Sequence, residues 1–346
     1  MNTTGEHIVL LIPGLEGPRS DHPVADYLER RPASLDRLIS RSQPESFPGN
    51  CVEDVLLRCF GLDGSTPVAP LTFTADTGAM PSGYVMRADP VHLRADQSSL
   101  RLFETHSFSI SQDEANALAG SFNDFFAVPA GQGWRLKVPV PQRWYLELSE
   151  QPDIKTTPLA NVAGEDINLS LPQGGAARNW HAMLNEVQML FHEHAVNRVR
   201  ELRGQPAINS LWPWGGGMMP QTPVSTEVGR VVANDPLAGA LAGMAGVEIQ
   251  DVAETAGQLL SRESGGVTLA VLDSLYWPAR YNEVEVWVEA LYMLDEKIIA
   301  PLLDALRGGA VRSLRFYPCH GTRFGISRSR LRRFWRRIQP YEQVLS

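Results

Sequence analysis

The stretch AINSLWPWGGG, Ala207 to Gly217, runs from an apolar segment with two tryptophans straight into three glycines. A hydrophobic run of strand length that stops at glycines reads as a buried strand leading into a loop whose backbone approaches a ligand or another segment closely. The plainer reading is a core strand with a tight turn, because glycine punctuates ordinary turns more often than it lines sites.

On its N-terminal side, Ala177 to about Arg203 reads as one long helix. Ser111 opens a shorter one, with Glu114 at the capping-box position and Ala115, Leu118, Phe122 and Phe126 on one face. Trp134 to Val138 and Arg143 to Leu148 read as strands, and so does Gly83 to Leu93, interrupted by a turn at Ala88 to Pro90. His7 to Pro13 is a first strand ending in a glycine loop, followed by helical patterns at Ser34 to Ile39 and Val52 to Phe60. Beyond the tryptophans come a small-residue helix, Leu237 to Ala245, and a central-strand run, Val267 to Leu272. Val284 to Leu306 then keeps a helical period up to Gly308, and Val311 to Tyr317 makes a last strand. Strands alternating with helices predict an α/β fold with a doubly wound, mostly parallel sheet. The expected division is a core of residues 1–105 and 191–346, with a smaller α/β domain inserted at 106–190.

Composition excludes several classes. With 346 residues, 43% of them apolar, the chain can bury a core without staples, and no apolar run is long enough to span a bilayer. The N-terminus lacks the basic region of a signal peptide, and three cysteines, Cys51, Cys59 and Cys319, make neither a disulfide framework nor a zinc pattern. A cytoplasmic location is expected. A formal charge of −8 argues against nucleic acid as a partner.

In such sheets ligands sit beyond the carboxyl ends of the strands, here Gly14 to Gly17, Trp212 to Gly217 and Cys319 to Arg323. His320 is a ligand, a base or a structural histidine. His192 and His194 point to different faces of a helix and do not make a metal pair. The segment Arg323 to Arg337 holds seven arginines interleaved with Phe334 and Trp335, either a solvated end or a face for a protein partner.

With NSLWPWGGG at Asn209 to Gly217, ADPVHLRAD at Ala88 to Asp96 and NEVQMLFHEHAVNRVRELRG at Asn185 to Gly204, the chain resembles the RpfE-type regulatory protein family. That family is similar to the archaeal-type cofactor-independent phosphoglycerate mutases of the alkaline phosphatase superfamily. The resemblance implies a bacterial regulatory protein with an alkaline-phosphatase-like core and a smaller inserted α/β domain. Those mutases use two divalent metals held by Asp and His, and a serine that carries the phosphoryl group. In this chain Gly14 stands at the first metal aspartate, and Glu53 and Cys51 precede and flank Asp54 where the serine is expected. Tyr276, Arg280 and Trp287 replace an Asp, a His and a Lys, and the last Asp-His pair is Cys319 and His320.

One conventional ligand cannot hold two metals, so neither metal nor other cofactor is expected. Arg143, Asn197, Arg198, Arg203, Asn209, Trp212, Trp214, Gly215 and Gly216 match retained positions and are the expected ligand-binding set, arginines suiting a small phosphorylated or carboxylated metabolite. The expectation is a non-catalytic, mutase-like binder of such a metabolite or of a partner. The alternative is a divergent metal-dependent phosphomutase or phosphatase rebuilt on His320, Cys319, Glu53, Asp54 and Asp273.

Overall fold

Two sheets organise the chain in the computed structural model, which describes residues 6–19, 23–96, 99–126, 133–260, 266–333 and 335–345. Phe334 of the arginine-rich segment lies outside these. No helix among the described residues is long and apolar enough to cross a membrane.

The first sheet has the order β2-β12-β11-β1-β10-β8-β9. Its strands are β1 (Glu6–Leu11), β2 (Gln43–Ser46), β8 (Val228–Val232), β9 (Glu248–Gln250), β10 (Val267–Val271), β11 (Val311–Tyr317) and β12 (Thr322–Ser327). From β11 to β9 every pairing is parallel; β12 and β2 add an antiparallel edge. β1 lies between β10 and β11, which is why HIVLL is apolar almost throughout: a central parallel strand is covered on both faces. Ile8 and Leu10 pack with Leu35 and Leu38 of helix α1 (Ala33–Arg41) and with Leu291, Ile298 and Leu302. This is the doubly wound, mostly parallel, alkaline-phosphatase-like α/β core that was expected.

The second sheet is antiparallel, in the order β4-β3-β6-β5 with β7 also paired to β3. Its strands are β3 (Tyr84–Asp96), β4 (Ser99–Phe103), β5 (Arg135–Val140), β6 (Arg143–Leu148) and β7 (Ser210–Gly217). Helix α3 (Gln112–Phe126) packs on it, its start held by the expected capping box: Ser111 N–H donates to Glu114 and Glu114 N–H to Ser111 Oγ.

The chain divides into one compact unit of residues 1–65 with 222–346 and another of residues 66–221. The boundaries therefore lie at 66 and 221, where the sequence placed them at 106 and 190. β3 and β7 are sheet neighbours of the inserted strands, and an apolar strand reads alike in either unit. The opening stretch thus belongs to the smaller unit.

Three further expectations change. β3 runs unbroken through Ala88–Pro90. Pro90 is tolerated because β6 pairs β3 only at Tyr84–Arg87 and β4 only from His92, so its missing N–H falls in the gap between them. The long helix ends at His192 and restarts at Ala195, with His194 as its cap. The helix Val284–Leu294 passes through a π turn, Asp295–Ile299, before Ala300–Gly308. Pro301 cannot donate to the carbonyl four residues back. Buried Asp295 uses the wider turn to cap another helix, accepting from the N–H of Leu35 (2.6 Å) at the start of α1.

Candidate functional site

The carboxyl edge of the first sheet gathers the positions that the mutase resemblance singled out. Its ladder continues past the strand ends, Ile12 N–H donating to Tyr317 C=O (2.9 Å) and Leu272 N–H to Leu11 C=O (2.8 Å). This holds together the loops after β1, β10 and β11. The loop before α2 (Val52–Cys59) joins them through Gly321 N–H to Gly49 C=O (2.8 Å) and Phe47 N–H to Gly321 C=O (2.9 Å).

Gly14 is the tightest point of this edge. Its φ is +79°, and a Cβ there would lie 2.6 Å from the Leu275 carbonyl oxygen and 2.8 Å from Tyr276 Cα. Main-chain atoms fill the space a carboxylate side chain would need. Trp287, fully buried, donates its indole N–H to the Gly14 carbonyl (2.8 Å). Two of the replaced positions have therefore become packing partners.

Around this plug Glu53, Cys51, Cys319, Tyr276 and Arg280 lie within electrostatic reach of one another. Burial pushes the Cys51 thiol up to about 12, helped by the charge of Glu53, and pushes the Cys319 thiol well above its ordinary value. Both are protonated near neutrality, the opposite of an activated nucleophile. Burial and then Glu53 also raise the Tyr276 phenol. Cys319 is held at φ +67°, a left-handed conformation uncommon for a side chain-bearing residue. Asp54 turns away from this group to its own helix, accepting from Arg58 Nε at 2.7 Å.

His320 is mostly buried, with Nε2 3.5 Å from Glu16 Oε1, too far for a hydrogen bond. Among the described residues no group of three or more His, Cys, Asp or Glu side chains is placed to hold a metal ion. With the Gly14 position closed by backbone, this donor set does not fit a two-metal phosphoryl-transfer centre.

Asp235, which the sequence reading passed over, completes the cluster. It caps the helix Pro236–Ala245, accepting from Ala238 N–H at 2.8 Å, and lines a cavity of about 550 Å³ with Asn234, Gln250 and Asp251. The signal was available, since Asp before Pro is a common helix start. Burial, reinforced by the charges of Glu53 and Asp273, raises its carboxyl to about 6.

A carboxyl raised on folding takes up a proton as the chain folds. Its contribution is full below the unfolded value, 3.8, and is lost as pH rises through about 6. Asp235→Asn keeps a capping oxygen and removes the half-buried charge. It is expected to raise stability at pH 8 by about 1 to 2 kcal/mol and to change little at pH 4. Thermal melts at the two pH values check this; equal shifts would contradict it.

The expected ligand-binding set lies in the smaller unit, where most of it has internal partners. Asn197 bonds both main-chain groups of Ile208 (2.8 Å each), and Asn209 bonds both of Leu93 (2.7 and 2.8 Å). Trp212 donates to Thr157 C=O and Trp214 to Asp89. Arg143 pairs with Asp76 through two nitrogens (2.6 and 2.8 Å). Gly215 and Gly216 form a bulge opposite Met86, and a Cβ on Gly216 would meet the Tyr84 hydroxyl at 2.6 Å.

The motif pieces ADPVHLRAD and NSLWPWGGG are thus sheet partners, Asp89 opposite Trp212 and Pro90 opposite Leu211. Arg198 is exposed. Arg203 lines a cavity of about 600 Å³ with Ser109, Ser111, Glu114, Arg200 and Gln205. Arg200, missed among the many arginines, is buried and bound to Glu114 and to the carbonyls of Pro206 and Ser109.

No known family model matches the chain. It is 27% identical over 230 residues to the 2,3-bisphosphoglycerate-independent phosphoglycerate mutase of Methanothrix thermoacetophila, a match covering 62% of this chain and 57% of that protein. It therefore spans a little over half of that relative's length. Among solved structures, the PH0037 protein from Pyrococcus horikoshii superposes with a TM-score of 0.50 at 15% identity, over 93% of this chain and 87% of that one, and shares the fold. The cofactor-independent phosphoglycerate mutase from Thermoplasma acidophilum gives 0.40 at 17% identity, over 93% and 90% of the two chains. The chain is phosphoglycerate-mutase-like.

Proposed function

We propose that this mutase-like chain binds a small phosphorylated or carboxylated metabolite without turning it over, and serves a regulatory role. The observation that carries the non-catalytic reading is Gly14, whose side-chain space is filled by the Leu275–Tyr276 backbone and whose carbonyl is held by Trp287. Protonated thiols at Cys51 and Cys319 support it. For the ligand, the cavity carrying Arg203 offers a guanidinium beside the side chains of Ser109 and Gln205, groups that recognise carboxylate or phosphate oxygens. The edge around Glu53, Asp235 and Asp273 is rich in carboxylates and suits an anion poorly.

Titration calorimetry with phosphorylated three-carbon acids is expected to show binding that Arg203→Ala weakens about tenfold. Turnover of 3-phosphoglycerate should stay at background with Mn, Mg, Co or Zn. Metal-dependent turnover lost in His320→Ala would reverse the reading in favour of a rebuilt phosphomutase or phosphatase.

A further inference from the structure

The arginine-rich segment and an acidic groove sit at opposite ends of the same helix. Residues 336–342 run back along α1. Arg336 donates to Ser42 C=O (3.3 Å), Gln339 N–H to Ser40 Oγ (2.9 Å), Tyr341 N–H to Asp36 (2.8 Å), and Glu342 pairs with Arg31 (2.7 Å). These contacts fix Arg332, Trp335, Arg337 and Ile338 near the C-terminal end of α1, all of them exposed, Trp335 by 69%.

At the other end, Arg30 N–H donates to the Tyr292 hydroxyl (3.1 Å), and Tyr292 closes a groove of about 440 Å³. Tyr27, Val288 and Tyr292 supply its apolar lining, and Glu29, Glu285 and Glu289 stand exposed along it. Arg30, the cation beside it, is paired with Glu296.

Nine residues of α1 separate the two features by about 13 Å, so the segment pinned at one end cannot fill the groove at the other end of its own chain. A second copy with α1 antiparallel brings each basic, tryptophan-bearing segment to the other's acidic, tyrosine-lined groove. Both contacts then repeat across one two-fold axis, the closed arrangement that self-complementary patches favour. We infer that this face is the interface of a symmetric homodimer, with Trp335 and Ile338 seated on the tyrosine and valine lining and Arg332 and Arg337 paired with the glutamates. This inference is independent of the metabolite reading.

Sedimentation velocity on the full chain tests it. A dimer is expected at about 0.05 M salt, weakening about tenfold or more by about 0.5 M as the charges are screened. Glu285→Arg with Glu289→Arg, or Arg332→Glu with Arg337→Glu, should each give a folded monomer by circular dichroism. Mixing the two reversed proteins should restore a dimer, because both contacts are then complementary again, and so should all four changes in one chain. A monomeric wild type at low salt overturns the inference. Reversals that leave the dimer intact, a failure of the mixture to pair, or growth of the mixture beyond a dimer do the same.

Discussion

Gly14→Asp, the change that puts a carboxylate where the family resemblance expects the first metal aspartate, is expected to lower stability by about 4 kcal/mol and to gain no metal. A side chain at φ +79° costs about 1–2 kcal/mol in the left-handed region. The new Cβ would then meet the Leu275 carbonyl at 2.6 Å, a main-chain atom that cannot swing aside, and overpacking of this kind costs about 1–3 kcal/mol. Any shift that relieves the clash pulls the Gly14 carbonyl from Trp287, stranding a buried indole N–H at a further cost of about 1–3 kcal/mol. Urea denaturation of Gly14→Asp beside Gly14→Ala separates carboxylate from backbone, and both should lose stability alike. An aspartate variant of unchanged stability that binds a stoichiometric divalent ion would show that the edge is still open to metal.

The second large effect is in the smaller unit. Asp89 is 1% exposed and accepts four hydrogen bonds: Arg87 Nε and Nη2 at 3.0 and 2.7 Å, Trp144 N–H at 3.1 Å and the Trp214 indole at 2.8 Å. Arg87 is buried too, with Tyr145 and Trp214 at its guanidinium. Asp89→Ala leaves that guanidinium without its counter-charge and is expected to cost about 3–5 kcal/mol. Replacing both partners, Arg87→Met with Asp89→Leu, should recover a substantial part of the loss. A measured cost under about 1 kcal/mol for Asp89→Ala would mean that the pair does not organise this sheet.

Much of the first sheet was legible because central parallel strands and amphipathic helices carry strong periodic signals: β1, β10, β11 and the helix beginning at Val52 lie within a residue or two of their expected places. What failed depended on a neighbour far away in the chain. Pro90 reads as a turn until β6 and β4 are seen to leave a gap beside it, and the π turn at Asp295 preserves the apolar face that a period of three to four detects. The unit boundaries were misjudged for the same reason. A hydrophobic strand does not announce which sheet it joins, and only its pairing with β3 assigns NSLWPWGGG. At the carboxyl edge, the residues carried over by resemblance do converge. The closure of that edge was not legible, because a lone glycine does not reveal that Leu275 stands where its side chain would be. The polar residues of the quoted motifs, Asn197, Asn209 and Asp89, carry register between segments, a role that resemblance cannot tell from ligand binding.

The position of β1 governs the order in which this protein can take shape during synthesis. Its two sheet neighbours are β10, Val267–Val271, and β11, Val311–Tyr317, so this strand waits for more than 250 further residues before either flank is covered. Residues 66–221, by contrast, form a contiguous compact unit that can close while the rest is still being translated. Until β10 and β11 emerge, the apolar β1 has two open edges. That interval is when a chaperone, or aggregation, has access to it.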